Sequence, residues 1–377
     1  MSVILAACGG ESPAAAPAGD AAGGFAGLEH AARGHTVRWW MYGGDDRVNS
    51  YVDDVVAPAA RKLGVTIRRV PIADTADALK RVVAERRAGK TSGGAVDLIW
   101  INGENFADGK RADLWRHDWA TGLPNARRYV DQADPAIARD FQVPVDGQES
   151  PWQKAAFVYA YDTAKTPTPP QSLDALLAYA EAHPGRVTYP APPDFTGSAF
   201  VRQVVQAKGE DGGFAYLKQL KPYLWRHGTT YPKTEAELDT LFGNGQVDFA
   251  MSYDAAFVAS AVRKGQFAAS ARPFALGERS LQNTSFVAIP ANAADPAGAE
   301  VVANLLLSPR LQAAKLDPRS LGNPTVLDIG RLGAQRRLFT QAAVNRYLLA
   351  DLGQTVAEMP ASAVAPLERR WTREILR

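Results

Sequence analysis

The chain has 377 residues, of which 46% are hydrophobic and 22% are charged, a balance typical of globular proteins. At about 100 to 200 residues per domain, this length predicts two domains. Lys and Arg total 42 against 40 Asp and Glu, so the net charge is only +2 and a nucleic-acid partner is not expected. The longest apolar runs fall far short of the roughly 20 residues that a membrane-spanning helix needs.

The single cysteine excludes a disulfide framework and every multi-cysteine metal site. This residue, Cys8, follows Leu5-Ala6-Ala7, which resembles a bacterial lipoprotein signal in which the cysteine carries lipid. Residues 10–34 are rich in Ala, Gly, Pro and Ser, so residues 1–34 are interpreted as a signal remnant and flexible tether. The stretch before Cys8 has no basic residue and is shorter than the about 7 to 15 apolar residues of an export signal. Either the true start lies upstream, or the match is accidental and Cys8 is an exposed thiol.

Strand and helix patterns alternate from His35 onward. Runs of β-branched and aromatic residues predict strands, and apolar residues at helical spacing predict helices between them. The predicted order is a strand over 36–42, a helix over 48–63, a strand over 65–72, a helix capped by Asp74 or Thr75, and a strand over 96–101. Connections of this kind are right-handed crossovers, which place the three strands parallel in an open α/β unit.

Two polar, glycine-containing loops follow strands of this unit. Asp45 lies in the loop over 43–46, and Glu104 and Asn105 lie in the loop over 102–105. Ligands of open α/β sheets bind at the carboxyl ends of strands, and glycines let a ligand approach the backbone closely. Ordinary turns explain the same residues equally well.

A second α/β unit is predicted from strands over 155–161 and 187–189 around a helix over 172–183. After it, Thr196, Gly197 and Ser198 open an amphipathic helix. Free amide groups and the positive end of the helix dipole would form an anion site there. The alternative is an ordinary N-cap.

The remaining chain returns to the predicted sheets. A strand over 247–253 leads to Asp254, which is expected to cap the next helix, so Tyr253 and Asp254 also lie at a strand end. A strand over 285–290, a helix over 298–307 and further helices to Arg377 follow. Two α/β units joined by returning segments predict a cleft between two lobes.

The sequence contains no recognisable catalytic set. Gly-x-Ser-x-Gly does not surround Ser198, and no two of the five histidines have the i, i+4 spacing of a helical zinc site. This favours binding over catalysis. Aromatic residues near predicted strand ends offer stacking surfaces, and they are Trp39, Trp40, Tyr42, Trp152, Trp225, Tyr231 and Tyr253. About half are expected in the core, with Trp39 and Trp40 on opposite faces of their strand.

Several motifs together carry a family resemblance. They are the strand over 37–42 with its Gly-Gly-Asp-Asp loop, the stretches 97–106, 151–152, 157–162, 189–200 and 251–254, and Ile289-Pro290 with Leu307-Ser308-Pro309. They resemble the extracytoplasmic solute-binding proteins of ABC importers, and within that group the YnjB-like proteins, related to thiamin, iron and polyamine binders. The resemblance implies an α/β, two-lobe type II periplasmic-binding-protein fold. Lobe I would comprise residues 35–146 plus 280–318, and lobe II residues 147–279 plus 319–377.

In that fold the ligand lies between the lobes and favours a hinge-closed state that the permease distinguishes from the open state. The resemblance implies no cofactor, metal or catalytic residue. The ligand-binding residues that it implies are Trp40, Tyr42, Asp45, Glu104, Asn105, Trp152, Thr196, Gly197, Ser198, Trp225, Tyr253, Asp254 and Asn283.

Amide groups, aromatic rings and carboxylates together suit a ligand with a cationic ring and a phosphate, such as a thiamin phosphate. A small oxyanion would instead depend on Thr196 and Ser198. The resemblance implies a monomer in the periplasm or cell envelope, partnered by an ABC permease and its ATPase. A sensor module or an enzyme on the same two-lobe scaffold is the alternative.

Overall fold

A computed structural model describes residues 24–277, 280–317, 319–340, 347 and 355–377. Most of the predicted tether, including Cys8, lies outside the described residues. The prediction of a flexible tether up to residue 34 is wrong at its end, because Gly24–Ala31 forms helix α1. This helix contacts the helix Pro296–Leu306, Phe25 packs against the core, and Ala32 is fully buried.

The strands and helices follow the predicted alternation over much of the chain. The strands are β1 (Thr36–Tyr42), β2 (Thr66–Ile72), β3 (Leu98–Ile101), β4 (Arg139–Asp140), β5 (Val143–Pro144), β6 (Glu149–Ala156), β7 (Val158–Asp162), β8 (Phe249–Ser252), β9 (Ala271–Phe274), β10 (Ser280–Ala288) and β11 (Thr355–Ala357). The helices after α1 are α2 (Asp46–Tyr51), α3 (Ala57–Lys62), α4 (Thr75–Arg87), α5 (Gly103–Arg111), α6 (Pro124–Tyr129), α7 (Pro135–Ala138), α8 (Leu173–Ala182), α9 (Phe195–Lys208), α10 (Glu210–Leu220), α11 (Glu235–Gly243), α12 (Phe257–Arg263), α13 (Pro296–Leu306), α14 (Pro309–Leu316), α15 (Arg337–Thr340) and α16 (Ala361–Trp371).

The main sheet has six strands in the order β11-β10-β3-β1-β2, with β6 paired to β10. Strands β2, β1 and β3 are parallel, which confirms the predicted α/β unit. Strand β10 runs antiparallel to β3 and β6. Along β1, Trp39 is fully buried on one face, and Trp40 packs into a separate hydrophobic cluster on the other. The predicted opposite orientation of these two indoles is therefore confirmed.

The second unit contains a small antiparallel sheet in the order β8-β7-β9. The predicted strand over 187–189 is wrong, since only Val187 forms an isolated bridge, with Leu224. Pro190 follows directly and has no amide hydrogen to extend a ladder. The predicted strand over 155–161 is two strands, because the chain passes between sheets at Phe157, whose amide donates to Leu281 O at 2.9 Å.

Two large hydrophobic cores accompany the two sheets. The predicted lobe boundaries do not match the packing at two places. Trp152 and the segment 321–339, both assigned to lobe II, contribute to the core of the main sheet. Trp371 packs in the other core. The reason is that β6 pairs with β10 in the main sheet and carries Trp152 there. The division into lobes otherwise stays a prediction.

Candidate functional site

The loops that follow β1 and β8 contact each other, and we call this place the opening of the cleft that is expected between the lobes. The Arg47 guanidinium, on the side of the main sheet, contacts the carboxylate of Asp254, which follows the small sheet. Lys264 Nζ lies 3.1 Å from Asp46 Oδ2 in a second, exposed pair between the same two sides. Arg47 is buried and also donates to Leu321 O at 2.8 Å. Ion pairs therefore join the two sides at this end.

Tyr42 and Asp45 lie at this opening, at the end of β1. Asp45 is the N-cap of α2, and its Oδ1 accepts the amides of Arg47 at 2.8 Å and Val48 at 3.3 Å. The Tyr42 side chain is 44% exposed. Its ring lies directly over Gly44, where a Cβ would have no room. The glycine loop that the sequence analysis singled out therefore seats an exposed aromatic ring.

Three carboxylates, Asp45, Asp194 and Glu235, act electrostatically on Tyr42, and Asp239 acts with Glu235; we call these four residues the acidic cluster. Burial raises the pKa of Glu235 to about 7, and the charges of Asp194 and Asp45 act in the same direction. Burial also raises the pKa of Asp239 well above its ordinary value, with a further contribution from Glu235. Burial, then Glu235, Asp45 and Asp194, raise the pKa of Tyr42. Crowded, partly dehydrated carboxylates of this kind favour a positively charged partner.

The start of α9 is not free to bind an anion as the sequence analysis predicted. Asp194 is its N-cap, and Asp194 Oδ1 accepts the amides of Thr196 and Gly197 at 3.0 Å each. The amide of Ser198 donates to Asp194 O at 2.8 Å. Gly197 packs against the Pro190 carbonyl and is buried, so its small size serves packing. The Thr196 hydroxyl donates to Glu235.

Deeper between the sheets lies a buried network that we call the inner network: Ser198, Arg202, Tyr253, Glu358 and Glu368. Arg202 and Glu358 form a bidentate pair, with Nε–Oε2 at 2.8 Å and Nη2–Oε1 at 3.0 Å. The Tyr253 hydroxyl donates to Glu358 Oε1 at 2.8 Å. The Ser198 hydroxyl accepts from Arg202 Nη1 and donates to Glu368 Oε1, both at 2.7 Å.

Aromatic rings and one further carboxylate border the inner network. The rings of Phe195 and Phe141 lie 5.2 Å and 5.6 Å from the Arg202 guanidinium, and Phe195 lies 5.3 Å from the Tyr253 ring. Glu104 is exposed as a whole residue, but partial dehydration of its carboxyl beside these groups raises its pKa, while the charge of Arg202 opposes the shift. Phe195 thus connects the inner network with the helix start at the opening.

The structure brings together Tyr42, Asp45, Thr196 and Asp254 at the opening, and Glu104, Ser198 and Tyr253 at the inner network. Asn105 lies half-buried in the first turn of α5. Asp254 lies two residues before Ala256, the N-cap of α12, and its Oδ1 accepts the Ala256 amide at 2.9 Å, so it does not cap that helix as predicted.

Three of the four remaining predicted side chains, Trp40, Trp152 and Trp225, lie elsewhere. Trp152 is fully buried between Trp39 and Trp100, at centroid distances of 5.5 Å and 5.2 Å, so its contacts are core packing. Trp40 is half-buried and donates to Ala95 O at 3.1 Å. Asn283 is buried on β10 and lines a cavity of about 220 Å³ together with Phe141 and Glu358, so it lies beside the inner network, whereas Trp225 borders a separate cavity.

Arg47, Asp194, Arg202, Glu235 and Glu358 were missed by the sequence analysis. Asp194 carried a usable signal, because Asp is a preferred N-cap and it stands directly before the predicted helix. Arg202 and Glu358 are 156 positions apart, and no local pattern indicates that they meet.

Comparisons with known proteins agree with this architecture. Residues 54–329 match the family of bacterial extracellular solute-binding proteins. Protein YnjB of Escherichia coli (strain K12) is 40% identical over 362 residues, covering 91% of this chain and 92% of YnjB. The chain belongs to the bacterial extracellular solute-binding protein family. The resemblance to YnjB-like proteins is therefore confirmed, and the chain is an extracellular solute-binding component of an ABC transporter.

Solved structures show the same fold at low identity. The periplasmic binding protein AfuA from Actinobacillus pleuropneumoniae, with exogenous fructose-6-phosphate bound, aligns with a TM-score of 0.62 at 15% identity, covering 90% of this chain and 98% of AfuA. The Trichodesmium protein FutA, in complex with iron and citrate, aligns with a TM-score of 0.64 at 13% identity, covering 91% of this chain and 100% of FutA. The predicted type II fold is confirmed. In the described ranges, no helix has the length and apolar character needed to cross a membrane.

Proposed function

We propose that the cleft captures a small organic cation with a ring, of the thiamin class, for delivery to an ABC permease. The observation that supports this ligand class is the acidic cluster beside the exposed Tyr42 ring. A cationic ring would stack on Tyr42 and relieve the repulsion among Asp45, Asp194 and Glu235.

A phosphate on the ligand has less support than the cation. The amides of Thr196 and Gly197, which were predicted to receive it, already donate to Asp194. A sugar phosphate such as the AfuA ligand would meet carboxylates at the opening. Among the residues described, no group of three or more His, Cys, Asp or Glu side chains is arranged to hold a metal ion, such as the iron in FutA.

The remaining features of the proposal follow from the family. The protein would deliver its ligand without chemical turnover, act as a monomer, and contact the permease directly while the ATPase binds the permease. It would reside in the periplasm or cell envelope, tethered through a lipid on Cys8 if that cysteine is processed.

Isothermal titration of the purified chain tests the ligand class with thiamin, thiamin monophosphate, spermidine, fructose-6-phosphate and ferric citrate. We expect saturable binding of thiamin, and a loss of about tenfold or more in affinity on Glu235→Gln, which removes one charge of the acidic cluster. Asp45→Asn should weaken binding too, while α2 stays capped, since Asn caps helices as well as Asp does.

Asp77→Asn is the matched control, because Asp77 is an exposed helical carboxylate that pairs with Lys80. It should leave the affinity unchanged. Tighter binding of fructose-6-phosphate or ferric citrate than of any organic cation would contradict the proposed ligand class.

A further inference from the structure

A cavity of about 540 Å³ lies beside α11, and the cleft residues described above are not part of its lining. Its walls are the turn at Trp225 and Arg226, the loop over 230–233, and one face of α11 with Ala236, Thr240 and Leu241. This volume lies within the roughly 300 to 1,000 Å³ typical of small-molecule sites.

Trp225 forms an aromatic wall of this cavity. Its amide donates to Val187 O at 2.8 Å, and the half-buried indole packs against the core on one side. The Arg226 guanidinium lies 4.2 Å from the Trp225 ring centroid. The indole is thus fixed by the core while it still borders the cavity.

The turn that holds Arg226 in place has an unfavourable backbone conformation. Arg226, His227 and Gly228 have φ values of 52°, 56° and 64°, and the first two carry a Cβ that disfavours this left-handed region. The amide of His227 donates to Leu224 O at 2.8 Å, and the Thr229 hydroxyl donates to Arg226 O at 2.7 Å. Strained residues that the surroundings hold in one conformation occur preferentially at functional sites.

The charge of the lining is positive on balance. Arg226 and Lys233 are exposed, and within the described residues neither forms an ion pair with a carboxylate. Glu237 is the acidic residue of the lining, and its Oε2 accepts the amide of Lys233 at 2.7 Å. A negatively charged ligand would form ion pairs with both Arg226 and Lys233. The guanidinium can pair with a carboxylate in bidentate geometry.

We propose that this cavity binds a planar organic anion, whose ring lies against Trp225 and whose carboxylate or sulfonate pairs with Arg226 and Lys233. The site is separate from the cleft and prefers the opposite charge. It does not depend on the ligand proposed for the cleft.

Isothermal titration with 2-naphthoate as the probe tests this site. We expect a dissociation constant of about 1 mM or tighter, and a loss of about tenfold on Trp225→Leu or Arg226→Gln. Lys233→Gln should weaken binding several-fold, and uncharged 2-naphthamide should bind more weakly than 2-naphthoate.

Two controls separate the site from general effects. Arg128→Gln removes a guanidinium that lies 5.2 Å from the Tyr129 ring at the other core, and it should leave naphthoate binding unchanged. Thiamin binding should be the same in Trp225→Leu and in the wild-type chain, so failure of the cleft proposal and failure of this one are distinguishable. Far-ultraviolet circular dichroism verifies that each variant is folded.

Three results would overturn the proposal. The first is no binding of 2-naphthoate by the wild-type chain up to about 10 mM. The second is equal binding by wild-type, Trp225→Leu and Arg226→Gln. The third is equal affinity for naphthoate and naphthamide, which would indicate an apolar surface without anion recognition.

Discussion

Arg202 and Glu358, in the inner network, satisfy each other's charge in a bidentate pair, whereas the carboxylates at the cleft opening face one another. Tyr253 and Ser198 complete the hydrogen bonding of that inner pair. At the opening, Arg47 contacts Asp254 and also lies 3.6 Å from Asp45 Oδ2, while burial raises the pKa of Glu235. The comparison teaches that the inner network pairs its charges within the protein, while Glu235 at the opening is a dehydrated carboxyl whose charge the proposed cationic ligand would compensate.

The largest expected effect comes from removing a charge of the inner network. Glu358→Gln leaves the Arg202 guanidinium buried with a neutral partner, and we expect it to lower the free energy of unfolding by about 3 to 5 kcal/mol. Urea unfolding of both proteins measures this. Glu374→Gln, which affects more exposed pairs with Lys218 and Arg370, should lower the free energy of unfolding far less, because water screens these pairs. Equal effects of the two variants would show that the inner network is not special.

The acidic cluster should make ligand binding depend on pH. Glu235 must lose its proton to attract a cation, and burial raises its pKa to about 7. The affinity for thiamin should therefore rise as the pH rises through about 7 and fall below it. Glu235→Gln should flatten the profile measured by titration calorimetry between about pH 5 and pH 8. A profile equally steep in the variant would remove Glu235 from this role.

The unliganded protein should respond to pH in the opposite direction. Between the ordinary carboxyl pKa of 4.5 and about 7, the folded chain holds a proton on Glu235 that the unfolded chain has lost. Stability from this group is therefore fully present at low pH and is lost as the pH rises through about 7. Melting temperatures of wild-type and Glu235→Gln without ligand measure this difference.

The smallest expected effect concerns the seat of the Tyr42 ring. Gly44→Ala places a Cβ against that ring, and we expect it to weaken ligand binding by about 1 kcal/mol while stability changes little, because the exposed ring can move away. Gly212→Ala is the matched control, since the nearest heavy atom to its new Cβ would be Lys208 Cβ at 3.7 Å. It should leave binding unchanged and stabilise α10 by about 0.5 to 1 kcal/mol. Unchanged binding in Gly44→Ala would separate Tyr42 from the ligand.

Much of the fold was predictable because its signals are local. The alternation along β1 fixed the opposite faces of Trp39 and Trp40, and crossover geometry fixed the parallel order of β1, β2 and β3. The change of sheet at Phe157 was not predictable, because no turn residue marks it and the strand pattern continues on both sides. The carbonyl that accepts the Phe157 amide at this point belongs to Leu281, which is far away in sequence.

The position of the candidate site was predictable only where it follows strand ends. That rule located Tyr42, Asp45, Tyr253 and Asp254. It failed for Thr196 and Gly197, because Asp194, a residue just before the helix, uses the amides that a ligand would need. It also failed for Trp152, which was predicted to bind the ligand. Its indole is buried because β6 joins the main sheet, and the sequence does not show which sheet β6 joins.

The Arg202–Glu358 pair has a consequence for the order in which the protein can be built. A ribosome makes Arg202 long before Glu358, and a nascent chain that ends between them contains the guanidinium without its carboxylate. Such a chain also lacks α16, which contacts both α5 and α9. The inner wall of the cleft is therefore assembled only after synthesis has passed residue 358, so partial translation products would have no finished binding site.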